Sequence, residues 1–304
     1  MPAVAFVING TLVRARGHFR DLCRAAARRA GWTAELIVTE KAGAGVTAAR
    51  DAVDRGAGLV VAVGGDGTVR GCAEALAGTP VPLAIVPLGT ANLLARTLGV
   101  PALPGAALTV ALAPAPAGGT DRRIDLATAD GEPFTAMAGM GLDAAVVAAT
   151  KFKHHLGWLA YAMAGAAHLA LRPATFTIRL DGGRPIVRPA RSVVVGNSGL
   201  LPGGFVLLPD AAVDDGLLDV GILAPHGPLG WPRVAARVLT SSHVQDRNLE
   251  RFQARTVEIT TDATLPREID GEAVAPGRAL SVAVRRRVLT VRTPRSERSA
   301  GMAR

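Results

Sequence analysis

Cysteine, lysine and aromatic residues are all scarce in this chain of 304 residues. Its two cysteines, Cys23 and Cys72, are too few for a disulfide framework or a zinc site. Both fall in helix-like patterns and read as small core residues of a cytosolic protein. Aromatics make up 4% of the chain, so the apolar mass is Ala, Val and Leu, which suits α/β architecture better than an aromatic-rich binding surface. Lys41, Lys151 and Lys153 are the only lysines among 34 basic residues, so the net charge of +9 is almost all arginine. That charge has two readings: a coding bias toward Arg, Ala, Gly and Pro, or attraction to an anionic nucleotide, nucleic acid or membrane. No His-Glu-x-x-His is present, which excludes a zincin-type site. No signal peptide is visible, because Arg14, Arg16 and Arg20 interrupt the N-terminus before a useful apolar run.

Long hydrophobic runs are lacking too, although the mean hydropathy of +0.29 raises the question of a membrane. Residues 97–120 are uncharged but hold Pro101, Pro104, Pro114 and Pro116. Residues 156–171 are cleaner, but as a helix they reach about 24 Å, short of a hydrocarbon core of about 30 Å. A spanning helix is therefore not expected, and surface contact stays open.

What is present alternates. Residues 3–8, 34–39, 59–63 and 83–86 read as strands. Helical patterns lie between and after them, at 12–31, 47–55, 69–77, 91–98 and 105–112. That order implies a parallel sheet covered on both faces. The stretch 114–119 looks like an exit linker. Beyond Asp121 the texture changes to short strand-like runs at 124–128, 134–138, 175–180, 192–195, 218–223, 256–260 and 279–284. Turns such as Ala129-Asp130-Gly131 and Asp181-Gly182-Gly183 separate them. Such a series suggests a β-sandwich, interrupted by helical insertions near 142–171 and 229–242. The expected fold class is α/β plus β: a parallel-sheet α/β domain at 1–122, a β-sandwich domain at 123–293, and a frayed tail at 294–304.

The strongest local signal is Gly64-Gly65-Asp66-Gly67-Thr68, directly after an apolar strand. Open parallel sheets place their ligand crevice at the carboxyl ends of strands. Glycines let the backbone approach a phosphate chain, and the following helix adds its positive end. A tight strand–helix turn holding a hydrogen-bonded Asp explains the same residues, and the two readings are evenly matched. No Gly-Lys pair exists, so there is no P-loop lysine. Pro87-Leu88-Gly89-Thr90-Ala91-Asn92 repeats the geometry, with Thr90 and Asn92 able to bind a ligand or cap a helix.

These two turns, followed by Leu93-Leu94-Ala95-Arg96, resemble the nucleotide-binding half of the bacterial diacylglycerol kinase-like lipid kinases, relatives of sphingosine kinases, NAD kinases and 6-phosphofructokinases. Later segments agree in order. Gly139-Met140-Gly141-Leu142-Asp143-Ala144 resembles the motif opening the family's second domain. Pro209-Asp210-Ala211 and Asp214-Asp215-Gly216-Leu217-Leu218-Asp219 resemble its metal-binding loop, and Ile269-Asp270-Gly271-Glu272 its catalytic signature. The likeness runs from about residue 3 to residue 292.

The resemblance implies phosphorylation of a diacylglycerol-like lipid hydroxyl by ATP, assisted by Mg2+. It implies that Asn9, Thr39, Gly64, Gly65, Asp66, Gly67 and Thr68 bind ATP, with Thr90 near the phosphates. Asp215 would hold the magnesium ion with the backbone carbonyls of Ala212 and Leu217. Read without the family, Asp214, Asp215 and Asp219 are better explained as a solvated turn before a strand. Asp66, Asp270 and Glu272 would surround the reacting hydroxyl, with Glu272 taking its proton. Residues 269–272 read as a strand end, so Asp270 and Glu272, two apart, are expected to project to one face. The expected partners are ATP, a lipid acceptor and an anionic membrane surface, with no nucleic acid and a homodimer left open. The expected location is cytoplasmic, with a peripheral position at the inner face of the membrane left open. Lys151, Lys153, His154, His155 and Arg172 flank the apolar run 156–171, either a helix packed on the sandwich or a wall of the lipid entrance.

Two departures stand out. Val69 is followed by Arg70-Gly71 where many members have Asn-Glu, which argues against an NAD kinase. Asn9 is followed by Gly10 instead of proline. The alternatives are an NAD or other soluble-metabolite kinase on the same fold, and a catalytically silent lipid- or nucleotide-binding regulator.

Overall fold

The computed structural model describes residues 2–13, 18–41, 43–113, 118–141, 173–201, 203–226 and 230–295. The chain forms two compact units. One holds the residues up to Ile124 and those from Arg287 on; the other holds Asp125–Arg286. A single cut near residue 122 therefore does not divide the chain, because its last strand returns to the first unit.

In the first unit, β1 (Ala3–Asn9), β2 (Thr33–Thr39), β3 (Leu59–Gly64) and β4 (Leu83–Pro87) form a parallel sheet in the order β4-β3-β1-β2. Val4–Ile8 and Leu59–Val63 have no exposed surface, as strands covered on both faces require. The helices are α1 (Gly10–Val13), α2 (Phe19–Arg29), α3 (Ala44–Asp54), α4 (Asp66–Leu76), α5 (Leu93–Thr97) and α6 (Pro104–Leu112). The single helix expected over 12–31 is two described pieces, α1 and α2. In α2, Phe19, Cys23, Ala26 and Ala27 face inward and Arg20, Arg24 and Arg28 face solvent. The sheet is extended by the end of the long β14 (Glu272–Thr293), where Val291 pairs in parallel with Leu83.

The second unit is β-sandwich-like. One run of strands is β12 (Leu249–Ala254), β11 (Leu218–Leu223), β10 (Ser192–Gly196) and β7 (Met137–Gly141), joined to the end of β13 (Thr256–Ile269). The start of β13 pairs instead with β8 (Ala174–Leu180), which carries β9 (Ile186–Ala190). Between them the ladder with β14 shifts register at Thr260/Leu265 and again at Leu265/Arg267. Such irregularities bend a strand and let it serve two sheets. β5 (Thr120–Ala129) pairs with β14 and with β6 (Glu132–Phe134). Phe134, Met140, Phe176, Ile178, Val220 and Leu280 share the core. One helix, α7 (Gly230–Leu239), lies within the expected 229–242.

The structure differs from expectation at three places. The run 134–138 is not one strand: β6 ends at Phe134 and β7 starts at Met137, because a buried carboxylate takes the amides between them. β9 and β12 were not expected. The runs 256–260 and 279–284 are slices of strands of 14 and 22 residues. The linker residues 114–117, the segment 142–172 and the tail from 296 lie outside the described residues.

Candidate functional site

Chain order creates a crevice in the first unit. From β1 the chain passes to β2 on one side, then to β3 and β4 on the other, so the order reverses between β1 and β3. Ligands of open α/β sheets bind outside the carboxyl ends of the strands at such a switch point. Asn9 ends β1 and Gly64 ends β3. Asn9 Nδ2 reaches Thr68 Oγ1 at 3.5 Å, and its Oδ1 accepts the Leu12 amide at 3.2 Å. Thr39 sits opposite Asn9 in the β1–β2 register and donates to the Ile8 carbonyl at 3.3 Å. Asn9, Thr39, Gly64 and Thr68 thus gather at one end of three adjacent strands. Gly10 belongs there for a packing reason: a Cβ on it would stand 2.9 Å from Val38 Cγ1.

The two glycine turns touch each other through their backbones. A Cβ on Gly89 would lie 2.6 Å from the Gly65 Cα and 2.8 Å from Asn92 Oδ1. A Cβ on Gly64 would collide with the Thr68 side chain. Asn92, at a φ of 48°, folds its amide back on Gly89, accepting from Gly89 N at 3.0 Å and donating to Gly89 O at 2.7 Å. Asp66 then ties the turns together. Its carboxylate accepts the amides of Asn92 at 2.8 Å and Leu93 at 2.6 Å, the first groups of α5. Burial pushes the Asp66 carboxyl above its ordinary range, and these amides with Arg96 pull the other way. Gly65 caps α4, so that helix presents its positive end to the same turn. Gly67 and Thr90 are exposed.

In the second unit, Asp270 and Gly271 are the two central residues of the β13–β14 hairpin, with φ values of 48° and 76° and Ile269 paired to Glu272. Positive φ at both positions is the type I′ turn that Asp-Gly favours. The expectation that Asp270 and Glu272 share a strand face is therefore wrong: Asp270 is in the turn, and Glu272 is the first residue of β14. Asp270 is buried, and its oxygens accept Thr135 N at 2.8 Å, Thr135 Oγ1 at 3.1 Å, Ala136 N at 2.8 Å and Met137 N at 3.2 Å. Four donors occupy about the full capacity of a carboxylate. Glu272 is exposed.

The loop 212–217 is ordered from below by Asp125. This buried side chain, which sequence reasoning missed, accepts Gly216 N at 2.6 Å, and its own amide donates to the Val213 carbonyl at 2.7 Å. A lone Asp in a strand gives no sequence signal. Asp215 is exposed, with Oδ1 accepting Leu217 N at 2.9 Å. Asp219 is pushed up to about 6, first by burial and then by the charges of Asp215 and Asp210. No three His, Cys, Asp or Glu side chains form a metal cluster among the described residues. One carboxylate with backbone carbonyls is nevertheless a hard-oxygen donor set of the kind magnesium takes, and the surplus negative charge suits a cation.

Residues 4–128 match the family model described as the diacylglycerol kinase catalytic domain. Residues 136–293 match the one described as the YegS C-terminal NAD kinase beta sandwich-like domain. The chain belongs to the bacterial diacylglycerol kinase-like lipid kinase family. A Pseudomonas fluorescens protein named probable lipid kinase YegS-like is 35% identical over 284 residues, 92% of each chain. The Bacillus subtilis protein named diacylglycerol kinase is 31% identical over 251 residues, 80% of each chain. A solved diacylglycerol kinase from Bacillus anthracis str. Sterne shares the fold, with a TM-score of 0.69 at 19% identity over 96% of both chains. As a member of this lipid kinase family the chain is a kinase. No helix among its described residues is long and apolar enough to cross a membrane.

Proposed function

We propose that this family member transfers the γ-phosphate of ATP to the hydroxyl of a diacylglycerol-like lipid. The observation that carries the nucleotide half is the pair of interlocked glycine turns at the carboxyl ends of β3 and β4, beside the β1/β3 switch point, where a phosphate chain can approach bare backbone. In this reading Asn9, Thr39 and Gly64–Thr68 hold ATP, with Thr90 beside the phosphates. Asp66 is a positioning residue that fixes one turn to the other.

Magnesium, held by Asp215 with the carbonyls of Ala212 and Leu217, would neutralise phosphate charge when bound. Glu272 accepts the proton of the lipid hydroxyl as its oxygen bonds to the γ-phosphorus and the bond to the bridging oxygen of ADP breaks. Asp270, saturated by four donors, is no proton acceptor; it holds the turn that presents Glu272.

The test is labelled ATP offered with micellar diacylglycerol, phosphatidylglycerol, a sphingoid base and, separately, NAD. Phosphate on diacylglycerol supports the reading. Label on NAD alone would move the protein to the soluble-metabolite kinases. No label on any acceptor, with ATP still bound, would favour a silent regulator.

A further inference from the structure

We propose that one shoulder of the second unit, built from the end of α7 and the segments 203–207 and 239–247, docks on an anionic lipid surface. The proposal rests on the lipid-kinase reading above. Six large hydrophobic side chains are exposed among the described residues, and three of them stand on this shoulder: Leu239 at 66%, Val244 at 61% and Phe205 at 38%.

A buried arginine holds the segments together. Arg251 Nε donates to the Leu207 carbonyl at 3.1 Å and its Nη1 to the Ser242 carbonyl at 3.0 Å. Val234 and Val238 of α7 pack against the cluster that contains Leu207 and Leu249. The three tips are therefore fixed outward by a buried frame and do not dangle.

The charge around the tips is positive once ion pairs are set aside. Asp246 is taken by Arg237 and Glu250 by Arg188, while Asp210 is hydrogen-bonded to His243 Nδ1 at 2.8 Å and keeps its negative charge. Arg233 and Arg247 are exposed and have no carboxylate partner among the described residues. A cavity of about 470 Å³ opens between His226, Gln245, Arg247 and the Arg188–Glu250 pair, with the Arg237-paired Asp246 also in its wall, ample for a phosphate headgroup.

These features suit a lipid surface better than a protein partner. The polar residues 240–243 separate Leu239 from Val244, so the tips form no continuous patch, whereas a stable protein interface needs about 800 Å² on each side. Apolar tips flanked by arginine are what an interfacial anchor uses: the tips enter the acyl boundary and the cations meet the headgroups. Each arginine contributes about fivefold in partitioning to an anionic surface.

The test is sedimentation with vesicles of phosphatidylcholine containing phosphatidylglycerol, and with phosphatidylcholine alone, at low and high salt. The wild type is expected to bind the anionic vesicles and to weaken as salt rises. Leu239→Asp with Val244→Asp, and separately Arg233→Glu with Arg247→Glu, should each lose at least tenfold, on the order expected from two surface groups. Both pairs are exposed, and equal turnover on detergent-dispersed diacylglycerol would show that the catalytic machinery is intact. Variants that bind vesicles as well as the wild type would overturn the proposal, as would self-association abolished by the same changes. A wild type that binds these vesicles through the named residues yet phosphorylates no lipid would refute the kinase reading and leave the docking surface standing.

Discussion

At Gly89 there is no room for a side chain, and the reason is another glycine. The alanine methyl of Gly89→Ala would press on the Gly65 backbone at 2.6 Å. Main chain cannot rotate away as a side chain can, so the two turns must part. The variant is expected to lose about 1–3 kcal/mol, the usual cost of overpacking, and to lose most of its thermal shift with ATP; paired melting curves read both. Asp66→Asn is milder in shape, but an amide oxygen serves the amides of Asn92 and Leu93 less well than a carboxylate. Cys23 and Cys72 are inert for a different reason. Burial pushes both thiols up to about 12, so the native protein should resist iodoacetamide at pH 8 and react at both positions only after denaturation, as mass spectrometry can count. The glycine motifs themselves were legible in the sequence. Their mutual contact was not, because Gly65 and Gly89 meet only when β3 and β4 lie side by side.

Elements carry the next layer, and the β13–β14 hairpin shows how. Asp130-Gly131, Asp181-Gly182 and Asp270-Gly271 all adopt positive φ at both residues. In each, the Asp carboxylate reaches across to another strand: Asp130 to the Ser281 amide, Asp181 to those of Arg255 and Thr256, and Asp270 to residues 135–137. The first two are legible as turns in the sequence. The third, with the same Asp-Gly pair, reads from the sequence as a strand end, because nothing local distinguishes a turn carboxylate from a strand one until residues 135–137 are seen to fill it. Two substitutions separate position from chemistry. Asp270→Asn should lower the melting temperature and kcat together, since buried amides lose their acceptor at about 1–3 kcal/mol. Glu272→Gln, on an exposed side chain, should lower kcat by about 10²–10⁴ with melting unchanged. A Glu272→Gln enzyme of normal turnover would remove the base assignment.

The segment between α7 and β12 is clipped by Arg237 on Asp246, which holds that carboxyl well below its ordinary value of 3.8. A depressed carboxyl stabilises the fold above its unfolded value and loses that contribution as pH falls through its folded one. Arg237→Ala should therefore cost about 1 kcal/mol near neutrality, and the gap between variant and wild type should narrow progressively as pH falls below about 4 in acid-unfolding curves.

On the scale of the whole molecule, the second unit is an insertion between two strands of the first. The chain leaves along β5 and returns along β14. The returning stretch buries Leu289 and Val291 completely, its Val288 carbonyl accepts the Gly78 amide at 2.7 Å, and Arg292 pairs with Asp121 at 2.8 Å. Deleting everything after Arg286 should therefore unfold the first unit while leaving its four N-terminal strands in the sequence, which circular dichroism and ATP binding would register. The change of texture near residue 121 was visible from composition. The return was not, because residues 287–293 fall inside the stretch expected to be sandwich, and only their partner, Leu83, assigns them to the first unit. Proteins made on the ribosome generally settle from the N-terminus onward. Here the opening sheet must wait through the synthesis of a whole second unit before its final strand arrives, so the unit that is encoded first is completed last.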